Sequence, residues 1–231
     1  MTIGGRVKGI LETVSTALVI VAASGLLWTL FGKQQPAAAN APPPPLSDVN
    51  ETIEARHLTH VEGSGPIAIV EFTDFQCPFC EKHQRETVPT LKKEFVASGK
   101  ARYITMHLPL PMHQQALTAA EAAECAAAEG KFAEMYALLF EKQKELPTAN
   151  LTDYAAALGL DTAVFTTCLG AHAGLAKVTA DETVAAALQV NSTPTLFIGR
   201  MRTDGGVHLL RRVRGAAPLS TLMEEVAKLK G

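Results

Sequence analysis

Two cysteines separated by two residues are the feature of this sequence most suited to chemistry. Cys77-Pro78-Phe79-Cys80 sets the sulfurs one helical turn apart if the segment is helical. Such a pair can exchange disulfides, because one sulfur can be attacked while the other resolves the mixed disulfide. Where a strand ends and a helix begins, the helix N-terminus favours the thiolate of the first cysteine. Pro78 suits that position, since the first turn has no partner for an N–H there.

The same pair could instead hold a metal ion. With His83 it reads Cys-x2-Cys-x2-His, a set of ligands that zinc or copper accepts. No second CxxC or paired histidine follows at zinc-finger spacing, so redox chemistry is favoured, and we predict no metal and no other cofactor. The other histidines show no ligand pattern and are interpreted as surface or satisfied core residues: His57, His60, His107, His113, His172 and His208.

Two further positions fit redox chemistry. Glu71 interrupts an apolar run shortly before Cys77, and a buried carboxylate is costly unless it has a partner or a task. Beneath the cysteines it could accept or return the proton of Cys80; the alternative is a glutamate at a strand edge. Thr193-Pro194 opens a later strand, and a proline there could carry a cis peptide bond.

The elements that would position these residues alternate along the chain. Apolar and β-rich runs predict strands, and longer Ala-rich or amphipathic runs predict helices. The predicted strands cover 66–73, 101–107, 194–199 and 206–213, and the predicted helices cover 77–97, several segments within about 112–190, and 218–230. This order predicts a mixed sheet interrupted by one helical insertion.

Composition and charge exclude several functions. Of 231 residues, 47% are hydrophobic and 19% are charged, which excludes a disordered acidic or basic protein. Lys and Arg number 21 against 23 Asp and Glu, and this net charge of −2 gives no sign of a nucleic-acid partner.

The N-terminal region predicts export. Residues 13–31 carry no charge and would span about 28 Å as a helix, close to the thickness of a bilayer. Basic residues precede this segment, so residues 1–12 are expected in the cytoplasm. We favour a permanent transmembrane anchor over a cleaved signal peptide, and either one exports the rest of the chain. A Pro/Ala-rich linker, 32–46, leads to the folded part, 47–231.

Several segments together resemble the DsbA-like thiol:disulfide oxidoreductases. They are EFTDFQCPFC, AAEAAECAAAEGKFAEMYALLFEKQ, the GLD that ends at Asp161, and NSTPTLFIGR. The resemblance covers about 63–231 and implies an α/β fold of the thioredoxin type with an inserted all-helical subdomain. Among the members of that family, the chain most resembles the exported or membrane-tethered ones.

The resemblance also implies roles for particular residues. Cys77 would be the exposed attacking cysteine and Cys80 the resolving one, with Glu71 as the buried proton-handling acid. Pro194 would be the cis-proline that faces the active site, and Thr193 would present its backbone to a bound peptide. Phe79 departs from the pattern of the best-known members, which carry a histidine there. Phenylalanine cannot hydrogen-bond a thiolate, so the sequence does not predict a strong oxidant.

Cys125 and Cys168 stand apart from the CxxC, in predicted helices of the insertion. Members of the exported branch resemble this chain in carrying such a pair, and unpaired thiols tend to oxidise outside the cytoplasm. We expect a structural disulfide, which would contribute about 4 kcal/mol by closing a loop of about 44 residues. The alternative is two free core cysteines.

The predicted function is that of an exported thiol:disulfide oxidoreductase that gives the Cys77–Cys80 disulfide to folding exported proteins. We expect the domain on the periplasmic side of the cytoplasmic membrane, held there by the N-terminal helix, or soluble after cleavage. A quinone-linked membrane protein would reoxidise the pair, and no nucleic acid would be involved. The alternatives are a reductase or isomerase of the same fold, and a copper- or zinc-handling module.

Overall fold

A computed structural model of the protein describes residues 46–229. Its strands are β1 (Leu46–Ile53), β2 (His60–Gly63), β3 (Ile67–Thr73), β4 (Ala101–His107), β5 (Thr195–Met201) and β6 (Val207–Arg214). Its helices are α1 (Pro78–Glu86), α2 (Val88–Leu91), α3 (Ala116–Ala128), α4 (Phe132–Glu141), α5 (Thr148–Ala157), α6 (Thr162–Gly170), α7 (Leu175–Ala187) and α8 (Leu219–Lys228).

The predicted cytoplasmic segment 1–12, the anchor 13–31 and nearly all of the linker 32–46 lie outside the described residues. Between residues 46 and 229, no helix is both long enough and apolar enough to cross a bilayer.

The strands form one mixed sheet in the order β1-β6-β5-β3-β4-β2. Only β3 and β4 are parallel, and the other neighbours are antiparallel. β3 lies inside the sheet and every one of its residues is buried, which explains why its sequence is an unbroken apolar run apart from Glu71. The CxxC motif begins four residues after the end of this strand, at Cys77.

Helices cover both faces of the sheet. On one face, α2, α8 and Phe95 pack against strand residues such as Ile69 and Ile198. On the other face, Val184 and Ala185 of α7 pack against residues such as Phe72 and Phe197. The sheet is therefore the rigid layer on which the site is built.

The predicted helical insertion is confirmed as five helices, α3–α7, between β4 and β5. Its apolar core is built on residues such as Met135, Leu139 and Phe165, and it also takes in Cys77 and Cys80. The two cysteines therefore lie at the junction of the sheet and the insertion.

The structure corrects two predictions of secondary structure. The single helix predicted over 77–97 is broken into α1, α2 and a π-helical turn, Lys92–Val96. Pro89 explains the break, because it has no N–H to donate to the carbonyl one turn earlier. The sequence also failed to predict β1 and β2, which lie at the two edges of the sheet.

Candidate active site

The turn between β3 and α1 is held by side chains that surround it. Asp74 accepts hydrogen bonds from the backbone N–H of Gln76 at 2.7 Å and from that of Leu110 at 2.8 Å. Gln143 of the insertion donates to the carbonyl oxygens of Phe75 and Cys77, each at 2.9 Å. These bonds fix the backbone that presents Cys77.

Cys77 is the N-cap residue of α1, and its carbonyl accepts the backbone N–H of Cys80 at 3.0 Å. The thiol is free, but only 4% of the residue is exposed. The expectation that the attacking cysteine is exposed is therefore wrong. Its neighbour Cys80 is fully buried, which leaves Cys77 as the more accessible sulfur.

The environment of Cys77 favours the thiolate. A hydrogen bond from the Cys80 thiol is the largest cause that lowers the pKa of Cys77, from 9.0 to about 6. Burial opposes this, and the Thr193 side chain and the backbone N–H groups of Cys80 and Phe79 lower the pKa further. At pH 7 most of the Cys77 sulfur is therefore ionised.

Cys80 has the opposite character. Burial raises the pKa of Cys80 well above its usual value, and its hydrogen bond to Cys77 and the nearby charges of Cys77 and Glu71 raise it further. One sulfur of the pair is thus prepared as a nucleophile and leaving group, and the other stays protonated until a base removes its proton.

Glu71 lies fully buried in β3 within a cluster of polar side chains. Its Oε2 accepts hydrogen bonds from Tyr103 Oη at 2.6 Å, Gln84 Nε2 at 2.8 Å and Tyr136 Oη at 3.1 Å. Its Oε1 is buried and has no hydrogen-bond partner within the described residues. The carboxylate is therefore held through one oxygen, and the other is a buried acceptor without a partner among the described residues, which is unfavourable unless that oxygen has a task.

Sequence reasoning missed the residues that hold Glu71. Tyr103 comes from β4, Gln84 from α1 and Tyr136 from α4 of the insertion. The fully buried Tyr103 in a predicted strand was the one available signal, because a buried phenol needs a hydrogen-bond partner.

The loop before β5 faces the first cysteine. The Thr193–Pro194 peptide bond is cis. The carbonyl oxygen of Thr193 lies 3.3 Å from Cys77 Sγ, within reach of a hydrogen bond from the protonated thiol. Thr193 and Pro194 therefore border the reactive sulfur.

Phe79, at the second position of α1, has an exposed side chain, with 62% of the residue accessible. Its backbone N–H helps to lower the pKa of Cys77, whereas its ring offers no hydrogen bond. Residue 79 thus lies at the surface, two positions after Cys77.

Cys125 of α3 and Cys168 of α6 form a disulfide within the insertion. The bond joins two helices that pack in the same core. Neither of these two cysteines belongs to the CxxC motif, whose residues Cys77 and Cys80 are both free thiols.

The residues proposed for a metal do not come together. His83 is buried with neither ring nitrogen hydrogen-bonded within the described residues, and burial lowers its pKa. Cys77, Cys80 and His83 are not among the convergent ligand groups of the described residues. His60 and His107, interpreted from the sequence as surface or satisfied core residues, both hydrogen-bond Glu124, and the three side chains form a convergent group of potential ligands.

Comparisons with known proteins agree with this geometry. Residues 62–208 match the family model described as Thioredoxin, so the chain belongs to the thioredoxin family. A thioredoxin-like oxidoreductase from Silicibacter pomeroyi is 25% identical with a TM-score of 0.60, covering 73% of this chain and 90% of that one. BdbD from Bacillus subtilis is 21% identical with a TM-score of 0.67, covering 80% of this chain and all of that one (100%). The chain thus combines a thioredoxin-type fold with a CxxC pair at the start of the helix that follows β3.

The curated relatives that the chain matches are named as Na⁺/H⁺ antiporters. A Na⁺/H⁺ antiporter NhaA 3 of Salinispora tropica is 38% identical over 149 residues, which are 63% of this chain and 22% of that protein. A Na⁺/H⁺ antiporter NhaA of Herminiimonas arsenicoxydans is 33% identical over 150 residues, 64% of this chain and 23% of that protein. The chain thus spans less than a quarter of the length of these relatives.

Proposed function

We propose that the protein is an exported thiol:disulfide oxidase that gives its Cys77–Cys80 disulfide to exported proteins with pairs of cysteine thiols. The observation that carries this proposal is the asymmetry of the pair, with the pKa of Cys77 lowered to about 6 and that of Cys80 raised. A stabilised thiolate favours the reduced pair, and a pair that prefers to be reduced is an oxidant toward its substrates.

The reaction proceeds through two exchanges. A substrate thiolate attacks Sγ of Cys77, so that a mixed disulfide forms, the Cys77–Cys80 bond breaks and Cys80 leaves with the electron pair. A second substrate thiolate attacks the substrate sulfur of the mixed disulfide, and Cys77 leaves as its stabilised thiolate. The substrate loses two electrons and gains a disulfide, and the pair Cys77 and Cys80 becomes a dithiol.

Glu71 relays to Cys80 the proton that the first exchange requires. Cys80 leaves as a buried thiolate, which is unfavourable until it is protonated. The carboxylate takes up a proton and passes it to Cys80. Its charge acts on Cys80, and its Oε1 has no hydrogen-bond partner within the described residues. Gln84 and Tyr136, which hold the other oxygen, also line a groove of about 470 Å³, and solvent in this groove is the proposed source of the proton.

We further propose that residues 13–31 anchor the domain to the cytoplasmic membrane, with residues 1–12 inside and the catalytic domain on the periplasmic side. The charge-free apolar run and its basic flank support this placement. If the segment is cleaved, the domain is exported as a soluble protein. A quinone-linked membrane protein would take the two electrons and restore the disulfide.

A reductase or isomerase of the same fold is the second candidate. Phe79 favours it, because the hydrogen bond that a histidine would give to the Cys77 thiolate is absent. Na⁺/H⁺ antiport is not carried over from the curated relatives, since the matched region is only 22% of the first of them.

A single-turnover assay tests the proposal. The oxidised full chain is mixed with a reduced, unfolded two-cysteine protein, and substrate disulfide is quantified by mass spectrometry. We expect one disulfide transferred per chain, and none from Cys77→Ser or Cys80→Ser, because neither variant can hold the Cys77–Cys80 disulfide. Offered the substrate in its disulfide form instead, Cys80→Ser should form a stable mixed disulfide through Cys77. The matched control, Cys125→Ser with Cys168→Ser, should retain transfer. Transfer by Cys77→Ser would contradict the proposal.

A further inference from the structure

Two histidines and one glutamate converge at the junction between the sheet and the helical insertion. Glu124 Oε1 lies 2.6 Å from His60 Nε2 and 2.7 Å from His107 Nε2. The three potential ligand atoms all lie within 4.8 Å of one another. No step of the proposed disulfide exchange uses these residues.

The fold fixes this convergence from three elements. His60 begins β2 and pairs with Thr105 of β4, so His107, two residues further along β4, lies on the same face of the sheet. Glu124 lies on α3, the first helix of the insertion. A ligand held by all three residues would therefore join the sheet to the insertion.

The surroundings suit a bound cation that is partly shielded from water. The side chain of His107 is 1% exposed, and those of His60 and Glu124 are each 11% exposed, which leaves an approach from solvent. The ring of Phe132 stacks on that of His60 with centroids 3.4 Å apart. The ring centroids of Phe75 and His107 are 5.9 Å apart. These rings limit the orientations of both imidazoles.

The chemistry of the donors selects the class of metal. Two imidazole nitrogens suit Zn²⁺ and other divalent transition metals, whereas Ca²⁺ and Mg²⁺ prefer oxygen ligands. Two histidines and one glutamate supply three of the four ligands of a tetrahedral site, and water can supply the fourth.

The ligand atoms need only a small movement to accept such an ion. Zinc bonds of about 2.0–2.2 Å in a tetrahedral site separate neighbouring ligand atoms by about 3.3 Å. The present separations from the carboxylate oxygen are 2.6 Å and 2.7 Å, so Glu124, with or without His60, must move outward by about 0.6–0.7 Å. Both are at the rim of the site, where such a movement is possible.

We propose that His60, His107 and Glu124 form a site for Zn²⁺ or a similar divalent transition metal, which ties the helical insertion to the sheet. The metal takes the place of the hydrogen bonds between Nε2 of each imidazole and the carboxylate. The site is structural, and it shares no residue with Cys77, Cys80 and His83.

The test uses the full chain with Cys77 and Cys80 oxidised to their disulfide, so that no thiolate can bind metal. Zn²⁺ is titrated by calorimetry, and thermal unfolding is followed with and without Zn²⁺. We expect one Zn²⁺ per chain, a rise in Tm with Zn²⁺ and none with Mg²⁺. Co²⁺ should give tetrahedral ligand-field bands without thiolate-to-metal charge transfer.

Variants separate a metal site from a cluster of hydrogen bonds. His60→Gln and Glu124→Gln should each weaken Zn²⁺ binding by roughly 100-fold or more, since each removes a direct ligand. His172→Gln is the matched control, because His172 also pairs with a glutamate, Glu121 at 3.0 Å, outside the cluster. It should bind Zn²⁺ as the natural chain does.

Three outcomes would overturn the proposal. They are no stoichiometric binding to the oxidised chain, undiminished binding by both His60→Gln and Glu124→Gln, and binding only when Cys77 and Cys80 are reduced. If one variant fails to fold, the other still decides, because each removes a different ligand.

Discussion

Removal of the Cys80 thiol tests the origin of the reactive Cys77 thiolate. The pKa of Cys77 falls from 9.0 to about 6, which corresponds to about 4 kcal/mol of preference for the thiolate. The hydrogen bond from Cys80 is the largest cause, and a hydrogen bond to a charged group is worth about 1.5–3 kcal/mol. Cys80→Ala should therefore raise the pKa of Cys77 by roughly one to two pH units.

Cys80→Ser is the matched variant, because its hydroxyl keeps a donor at the same position. Its Cys77 pKa should stay close to that of the natural chain. Each variant has one free thiol, so thiolate absorbance and the pH dependence of alkylation report Cys77 alone. A Cys80→Ala variant whose Cys77 pKa remains near 6 would refute the reasoning, and would assign the effect to the helix N-terminus.

Phe79→His should raise the reduction potential by roughly 30 mV. This is the low end of the range for a charge-assisted hydrogen bond, because residue 79 is 62% exposed and solvent weakens such a bond. An unchanged potential in glutathione buffers would contradict this prediction. Glu71→Gln should slow substrate oxidation by roughly 100-fold while circular dichroism shows an intact fold; equal rates across the pH range would exclude proton transfer by Glu71. Cys125→Ser with Cys168→Ser should lower the free energy of unfolding by about 4 kcal/mol, since the bond joins residues 43 apart; unchanged denaturant midpoints would contradict it.

The chemistry of the CxxC and the order of the central elements could be predicted because both are local in sequence. The two cysteines are one helical turn apart, and the buried strand β3 is an apolar run interrupted only by Glu71. The inserted helices are separated by glycine and proline, which break helices in a predictable way.

Edge strands and long-range clusters could not be predicted in this way. β1 has polar side chains on an exposed edge and buries only Ile53, so it shows no apolar alternation. Tyr136 reaches Glu71 from the insertion, and Glu124 reaches His60 and His107 from another helix of it. Such contacts depend on how the insertion packs against the sheet, which the spacing of residues does not encode.

The lowered pKa of Cys77 predicts how the stability of the reduced fold depends on pH, which unfolding measurements can check. Because the folded pKa, about 6, lies below the ordinary value of 9.0, ionisation of Cys77 stabilises the reduced fold. This stabilisation is full above the unfolded pKa and is lost as the pH falls through about 6.

The reduction potential of the Cys77–Cys80 pair at pH 7 tests the proposed oxidase most directly. Thioredoxin combines a cysteine pKa near 7 with about −270 mV, and DsbA combines about 3.5 with about −120 mV. The Cys77 pKa of about 6 lies between these two values, so we expect the potential of this pair to lie between those of thioredoxin and DsbA. Equilibration of the full chain with glutathione should yield a value in that interval, whereas a potential at or below that of thioredoxin would contradict an oxidase and favour a reductase.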